Sequence, residues 1–244
     1  MRKIISYPLS AIYYVLFGFT LVFFHALQWF CFHLFGYKAH KKSVDYMCFF
    51  LVANTYLLGT RYRFEHRNKI PQGVPLIIAA NHQSFYDIPA IAWFLNKYHI
   101  KFVSKIELGK GVPGISYNLR HGGSVLINRK DPRQAIREIT KLGKYIEENQ
   151  RAAVIFPEGT RSKTGQPKAF SASGLKVLCK NAPSAYIVPI TINHTWKMTR
   201  WGVFPMGLGN RLVFTVQDPF PVAATSFDEL VRRTEESVVK DIKY

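Results

Sequence analysis

Residues 74–87 read VPLIIAANHQSFYD. Val74–Ala80 is apolar throughout, contains three β-branched side chains and has the length of one buried strand. Asn81 ends that run, and Tyr86–Leu95 takes up a helical pattern. A buried strand feeding a helix is half of a βαβ unit, whose strands are covered on both faces and read as continuous apolar runs. The chain beyond repeats the alternation. Lys101–Ser104, Gly123–Ile127, Ala152–Phe156, Tyr186–Ile192 and Arg211–Val216 read as strands. Asp131 followed by Pro132 caps a helix in which Ala135, Ile136, Ile139, Leu142 and Ile146 recur at helical spacing. Ser171–Lys180 and Phe227–Ile242 are further helices. The expected fold is α/β, a mostly parallel sheet flanked by helices.

Upstream the pattern changes. Ile4–Tyr37 holds 34 consecutive residues without Asp, Glu, Lys or Arg, more than the ~20 needed to cross a bilayer as a helix. A signal peptide is not expected, since its apolar part runs only about 7–15 residues. A second apolar run, Tyr46–Thr60, is short for a span. Arg2 and Lys3, then Lys38, Lys41 and Lys42, then Arg61, Arg63 and Arg67 flank the runs. Two readings follow: a helical hairpin sunk into one leaflet with basic residues on anionic head groups, or a first run that spans. The alternative, two core helices of a soluble domain, conflicts with the missing polar stripe. Residues 1–60 are therefore expected to form a membrane-embedded hairpin or transmembrane anchor, and 61–244 the catalytic domain.

Of the 244 residues, 48% are hydrophobic and 20% charged, with 33 Lys and Arg against 15 Asp and Glu for a net +18. That composition excludes a disordered or coiled-coil chain and favours an anionic partner. Cys31, Cys48 and Cys179 are too few and too scattered for a disulfide framework. No His/Cys cluster has ligand spacing, so no metal is expected. Nucleic acid is not an expected partner either. No nucleic-acid motif is present, and the aromatics gather in the amino-terminal runs instead of interleaving with Lys and Arg.

In parallel sheets, reactive groups sit in loops past the carboxyl ends of the strands. Four residues separate His82 from Asp87, so a turn entering a helix can set the carboxylate beside the imidazole. That contact fixes the ring tautomer and raises the basicity of the other nitrogen, giving a general base for a hydroxyl. The competing reading is a hydrogen-bonded packing histidine. FPEGTRS (156–162) compresses the chain and presents the Arg161 fork, suited to phosphate, or else forms an ordinary turn with a solvated charge pair. GSVLINR (123–129) delivers Arg129 at a strand end, where most arginines are only solvated. Ser84 lies in no nucleophile elbow and is expected to cap the next helix. His121 and His194 are expected to be solvated or packed, and His25, Gln28 and His33 receive no chemistry.

Together NHQSFYD, GSVLINR and FPEGTRS, with Val188-Pro189-Ile190 inside YIVPITI, resemble the four motifs of the glycerolipid acyltransferase family, and within it the lysophosphatidic acid acyltransferases. The resemblance covers roughly residues 60–215, and its first and third motifs are specific. The apolar helices ahead of it are similar to the membrane-embedded pair of the smaller bacterial members. The fold implied is that of glycerol-3-phosphate acyltransferase.

The resemblance implies roles residue by residue. His82 would be the general base on the acceptor hydroxyl and Asp87 would orient it. Arg129, Arg161 and Lys105 would face the substrate phosphate, Glu158 and Gly159 would shape the acceptor site, and Pro189 would help form the donor site. The acyl group would pass directly from acyl-CoA or acyl-acyl carrier protein to lysophosphatidic acid, with no cofactor. The sequence does not locate the oxyanion donors; backbone N–H groups near the helix after His82 are one hypothesis. Asn128 departs from the family pattern, which has a charged residue there. The implied location is a membrane, at the cytoplasmic face of the bacterial inner membrane. Two alternatives remain: the same chemistry on glycerol 3-phosphate, another lysophospholipid or an amino-lipid, and a non-enzymatic basic membrane-surface protein.

Overall fold

The computed structural model describes residues 2–224 and 226–243. Its strands are β1 (Arg61–Glu65), β2 (Leu76–Ala80), β3 (Lys101–Lys105), β4 (Val125–Ile127), β5 (Ala152–Ile155), β6 (Tyr186–Asn193), β7 (Arg211–Val216) and β8 (Phe220–Pro221). They form one sheet in the order β1-β7-β6-β2-β5-β3-β4, with β8 beside β6. β2 to β6 run parallel, while β7 is antiparallel to β6 and carries β1 with it. The mostly parallel α/β architecture is therefore present, with three reversed strands, β1, β7 and β8, on the far side of β6 from β2.

The helices are α1 (Arg2–Asn54), α2 (Asp87–Phe94), α3 (Ile115–His121), α4 (Pro132–Asn149), α5 (Ala172–Asn181) and α6 (Phe227–Val239). All five residues of β2 are buried, because its alternate side chains enter two different cores. Leu76, Ile78 and Ala80 join α1 and α2 on one face, and Ile77 and Ala79 join α4, α5 and α6 on the other. This two-sided burial explains the unbroken apolar reading of VPLIIAA. β4 begins at Val125, two residues later than expected, since Gly123 has φ +82°. Pro189 sits in a central strand because β8 pairs with Tyr186 and Ile187 while β7 pairs from Ile190 onward. It falls between the two partners, where its missing N–H costs no ladder bond on that side.

α1 is bent at Gly36, whose φ of 75° and ψ of −167° are open to glycine alone. Its two arms pack antiparallel. Asn54 donates to the Thr20 hydroxyl at 2.9 Å and Gln28 donates to Met47 Sδ at 3.2 Å, while Leu21 and Phe24 meet Val44, Met47, Cys48 and Leu51. The second arm is roughly 27 Å long at about 1.5 Å per residue. The first is nearly twice that, so residues 2–17 run on across the sheet body. There Ser6 donates to the Met206 carbonyl, the Met206 N–H donates to Ser10 Oγ, and Tyr13 donates to the Tyr86 hydroxyl at 3.1 Å.

The polarity of this arm is inverted. Ser6, Ser10, Tyr13, Thr20 and Gln28 face the protein, whereas Ile4, Val15, Phe19, Val22, Leu34 and Phe35 are 61–74% exposed. Helices facing water carry the opposite arrangement. Tyr13 is fully buried in the main core alongside Val52, Leu58 and β2, so the hairpin and the sheet share one core. Tyr13→Ala is expected to cost about 3–5 kcal/mol through the cavity it leaves, and Tyr13→Phe about 1 kcal/mol through the lost hydrogen bond. Thermal melts in detergent check this; equal midpoints for the alanine variant and wild type would mean the helix is only loosely attached.

Candidate active site

The loop leaving β2 is held by the motif itself. Asn81 exchanges two hydrogen bonds with the Ile192 main chain, at 2.6 and 2.8 Å, extending the β2–β6 pairing beyond the strands. Gln83 accepts from the Thr195 N–H at 3.1 Å. Between them, His82 is placed above the sheet's carboxyl edge.

Asp87, the first residue of α2, is fully buried. Its Oδ2 accepts from His82 Nδ1 at 2.8 Å and from the Gln83 and Ser84 N–H groups at 2.8 and 2.9 Å. Two backbone donors fix the carboxylate in place. With an acceptor opposite Nδ1, the proton sits on that nitrogen and the Nε2 lone pair is free. The imidazole also stacks on Phe156, with ring centroids 4.1 Å apart, and its side chain is 14% exposed. One expectation is corrected here. Ser84 reaches only the Tyr86 N–H, at 3.4 Å and ahead of the helix, and no side chain caps the first turn of α2. The N–H groups of Gln83, Ser84, Tyr86 and Asp87 all have intramolecular acceptors, so the start of this helix offers none of them to an oxyanion.

The loop after β5 folds back onto His82, and the Ser162 N–H donates to the His82 carbonyl at 2.7 Å. Gly159, at φ +69°, makes the tight turn this requires. Glu158 is buried at 9% exposure and neither carboxyl oxygen has a hydrogen-bond partner among the described residues. Burial pushes its carboxyl up to about 7. The folded protein therefore keeps a proton that the unfolded chain gives up near 4.5. Its stabilising effect is complete below that value and lost as pH rises through 7. Glu158→Gln stays neutral at every pH and is expected to gain about 3 kcal/mol on wild type at pH 8 relative to pH 4.5. Denaturant melts at the two pH values measure the difference; parallel behaviour of the two proteins contradicts a neutral buried Glu158.

Arg161 lies with its guanidinium carbon 3.5 Å from the Phe85 ring centroid. Desolvation lowers its pKa and the Asp87 charge works against that, which places it in the same electrostatic neighbourhood as the His82–Asp87 pair. Among the described residues it has no ion-pair partner, so its fork is open to an anion. His82, Asp87, Glu158, Gly159 and Arg161 thus converge.

Lys105 and Arg129 stand further off. Lys105 ends β3 and Arg129 follows β4, two and three strands from β2, or about 10 and 14 Å at ~4.8 Å per strand. Both are exposed, on the same rim as His82 but not in its immediate cluster. Asn128 accepts from the Lys130 N–H at 3.0 Å, so it shapes the turn that carries Arg129. Pro189 is buried opposite Ala79, below the rim. His121 lies tilted against the Tyr117 ring at 4.4 Å and His194 bonds the Arg211 carbonyl at 3.2 Å; neither joins the His82 cluster. Sequence reasoning missed Phe85, Phe156 and Gln83, which carry no charge or titrating group to single them out.

This geometry has relatives. The acyltransferase family profile matches residues 61–193. The 1-acyl-sn-glycerol-3-phosphate acyltransferase of Pseudomonas aeruginosa is 27% identical over 200 residues, 80% of this chain and 76% of that one. A chloroplastic enzyme of the same name from Brassica napus is 30% identical over 128 residues, 52% of this chain; the match spans only 36% of the plant protein's length. The crystal structure of the 1-acyl-sn-glycerophosphate acyltransferase PlsC from Thermotoga maritima superposes with a TM-score of 0.82 at 26% identity, covering 98% of this chain and 95% of that one. With its imidazole–carboxylate pair and Arg161 loop both inside the matched stretch, the chain belongs to the acyltransferase family.

Proposed function

We propose that this chain is a membrane-bound O-acyltransferase that moves a fatty acyl group from acyl-CoA or acyl-acyl carrier protein to the free hydroxyl of lysophosphatidic acid, giving phosphatidic acid for phospholipid synthesis. One observation carries the reading: the 2.8 Å contact that pins His82 Nδ1 to a buried Asp87, next to an arginine without an ion-pair partner among the described residues.

His82 Nε2 takes the acceptor's hydroxyl proton as that oxygen attacks the thioester carbonyl. The tetrahedral intermediate expels the thiolate, which recovers the proton from Nε2. Atoms and charge balance without an acyl-enzyme, because both reactants are held together. Asp87 keeps the ring oriented and stabilises the imidazolium as it forms. Arg161 holds the phosphate, Lys105 and Arg129 extend the cationic rim toward it, and Glu158, with Gly159 at the turn, lines the acceptor side. Direct transfer of this kind calls for no metal or organic cofactor.

Residues 1–60 serve as the membrane anchor and 61–244 as the catalytic body. The outward apolar face of α1 supports that division, as does its having the length and apolar composition to cross a membrane while most of that stretch stays exposed. A shared core with the sheet favours a hairpin lying in one leaflet over a free-standing span. The active rim then meets the bilayer on the side where activated acyl donors are made, the cytoplasmic face of the bacterial inner membrane.

The test is an acyl-transfer assay on the reconstituted full chain with lysophosphatidic acid, glycerol 3-phosphate and lysophosphatidylcholine offered at equal concentration. Lysophosphatidic acid is expected to give the highest kcat/KM. Preference for either of the other two overturns the acceptor assignment, and no transfer to any overturns the enzymatic one.

A further inference from the structure

Away from His82, a cavity of about 290 Å³ opens beside the start of α1 and the start of β7. Arg2, His194, Lys197, Arg200 and Arg211 line it. Among the described residues, Arg2, Lys197, Arg200 and Arg211 form no ion pair. Arg211 is also set directly opposite Arg61 in the β1–β7 register, where like charges on neighbouring strands cost stability. Repulsion is felt within the cluster: the Arg2 charge helps lower the pKa of Arg200, and Lys197 helps lower that of His194, with desolvation the larger cause in both. Positive charge without compensation, gathered around a hollow, is a site for an anion.

The surroundings say what kind. Arg200 lies over Trp201, 4.8 Å from the ring centroid. Val203 and Phe204 follow at 66% and 49% exposure. Phe204 packs edge-on against Tyr7, and Tyr14 donates to the Val203 carbonyl at 2.6 Å. This loop therefore continues the outward apolar face of α1 up to the mouth of the basic cavity. A ligand seated there meets cations at one end and exposed hydrocarbon with a tryptophan at the other, the arrangement found at membrane interfaces.

We infer that this cavity binds the phosphate headgroup of an anionic membrane phospholipid, at a place distinct from the acceptor site. The inference rests on the membrane placement proposed above but not on acyl transfer. Phosphate could also arrive as inorganic phosphate or on the acyl donor, and the test separates these sources. Its readout is the number of lipids retained by the full-length His82→Ala protein in neutral detergent, counted by native mass spectrometry with phosphatidylglycerol or phosphatidylcholine. One phosphatidylglycerol is expected to be held at least five-fold more tightly than phosphatidylcholine. Arg200→Gln with Arg211→Gln should remove that preference, a loss of up to about 25-fold at roughly fivefold per cation near an anionic surface. Lys197→Gln with Arg211→Gln should do the same while sparing the Arg200 bond to the Leu208 carbonyl. Lys144→Gln with Lys180→Gln, on exposed turns of α4 and α5, removes equal charge and should change nothing.

Equal retention in all three double variants overturns the site. Inorganic phosphate or coenzyme A that displaces the bound lipid at micromolar concentration assigns the cavity to a free anion or to the donor, and overturns the lipid assignment. Flotation of the cavity variants with phosphatidylcholine vesicles is expected to match wild type. Its loss in wild type as well would instead strike the membrane placement.

Discussion

Replacing His82 with alanine is expected to lower kcat for acylation of lysophosphatidic acid by about 10²–10⁴-fold, the range a positioned general base contributes. The acceptor KM should move little, because the groups proposed to hold the phosphate lie on a different loop. The fold should survive the change. His82 makes one side-chain hydrogen bond and one ring stack, and its removal leaves Asp87 with two backbone donors. Asp87→Asn should be nearly as damaging for a different reason. A neutral amide in place of the carboxylate weakens its hold on Nδ1–H and no longer stabilises the imidazolium that develops at His82. Rates are read in reconstituted membranes, with melting midpoints for both variants as the control. A His82→Ala protein within threefold of wild-type kcat would leave the imidazole as a packing group and remove the proposed mechanism.

The parts of this architecture that the sequence announces are those in which one residue type serves one physical need. VPLIIAA is continuous because both faces of β2 are buried, and His82 with Asp87 stands out because two titratable groups flank a turn. β1 was not announced. Its RYRFE sequence puts Tyr62 and Phe64 against the core and Arg61, Arg63 and Glu65 away from it, the short charged pattern of an edge strand. Nor can a sequence say how far apart strand ends lie. GSVLINR and FPEGTRS look equivalent as strings, yet β5 is the neighbour of β2 while β4 is the sheet edge. That ordering is fixed by long-range pairing, and it is what separates Arg129 from Arg161. The inverted face of α1 was half visible: the apolar run is obvious, but its small polar residues declare themselves as inward contacts only once Met206 and Tyr86 are brought beneath them.

Arg161→Ala is expected to reduce kcat/KM for lysophosphatidic acid by about 100-fold, mostly through KM, since a charge-assisted pair with phosphate is worth roughly 3 kcal/mol when partly shielded from water. Arg161→Lys should recover only part of this, because an ammonium cannot reproduce the planar two-pronged contact. Phe85 provides a sharper test. Its ring lies 3.5 Å from the guanidinium carbon yet is 55% exposed, so it contributes to no core and its removal should not unfold the protein. Phe85→Ala should raise the acceptor KM about three- to ten-fold, the value of a cation–π contact at a partly exposed site, by freeing Arg161 to sample other rotamers. If Phe85 acts through Arg161, the double variant is no worse than Arg161→Ala alone, and the coupling energy equals the whole Phe85 effect. Additive losses would place Phe85 against the substrate itself. A lysophospholipid whose phosphate bears a choline offers a weaker anion, so both single variants should lose less with it. An equal loss with the two acceptors would mean that Arg161 does not read the phosphate monoester.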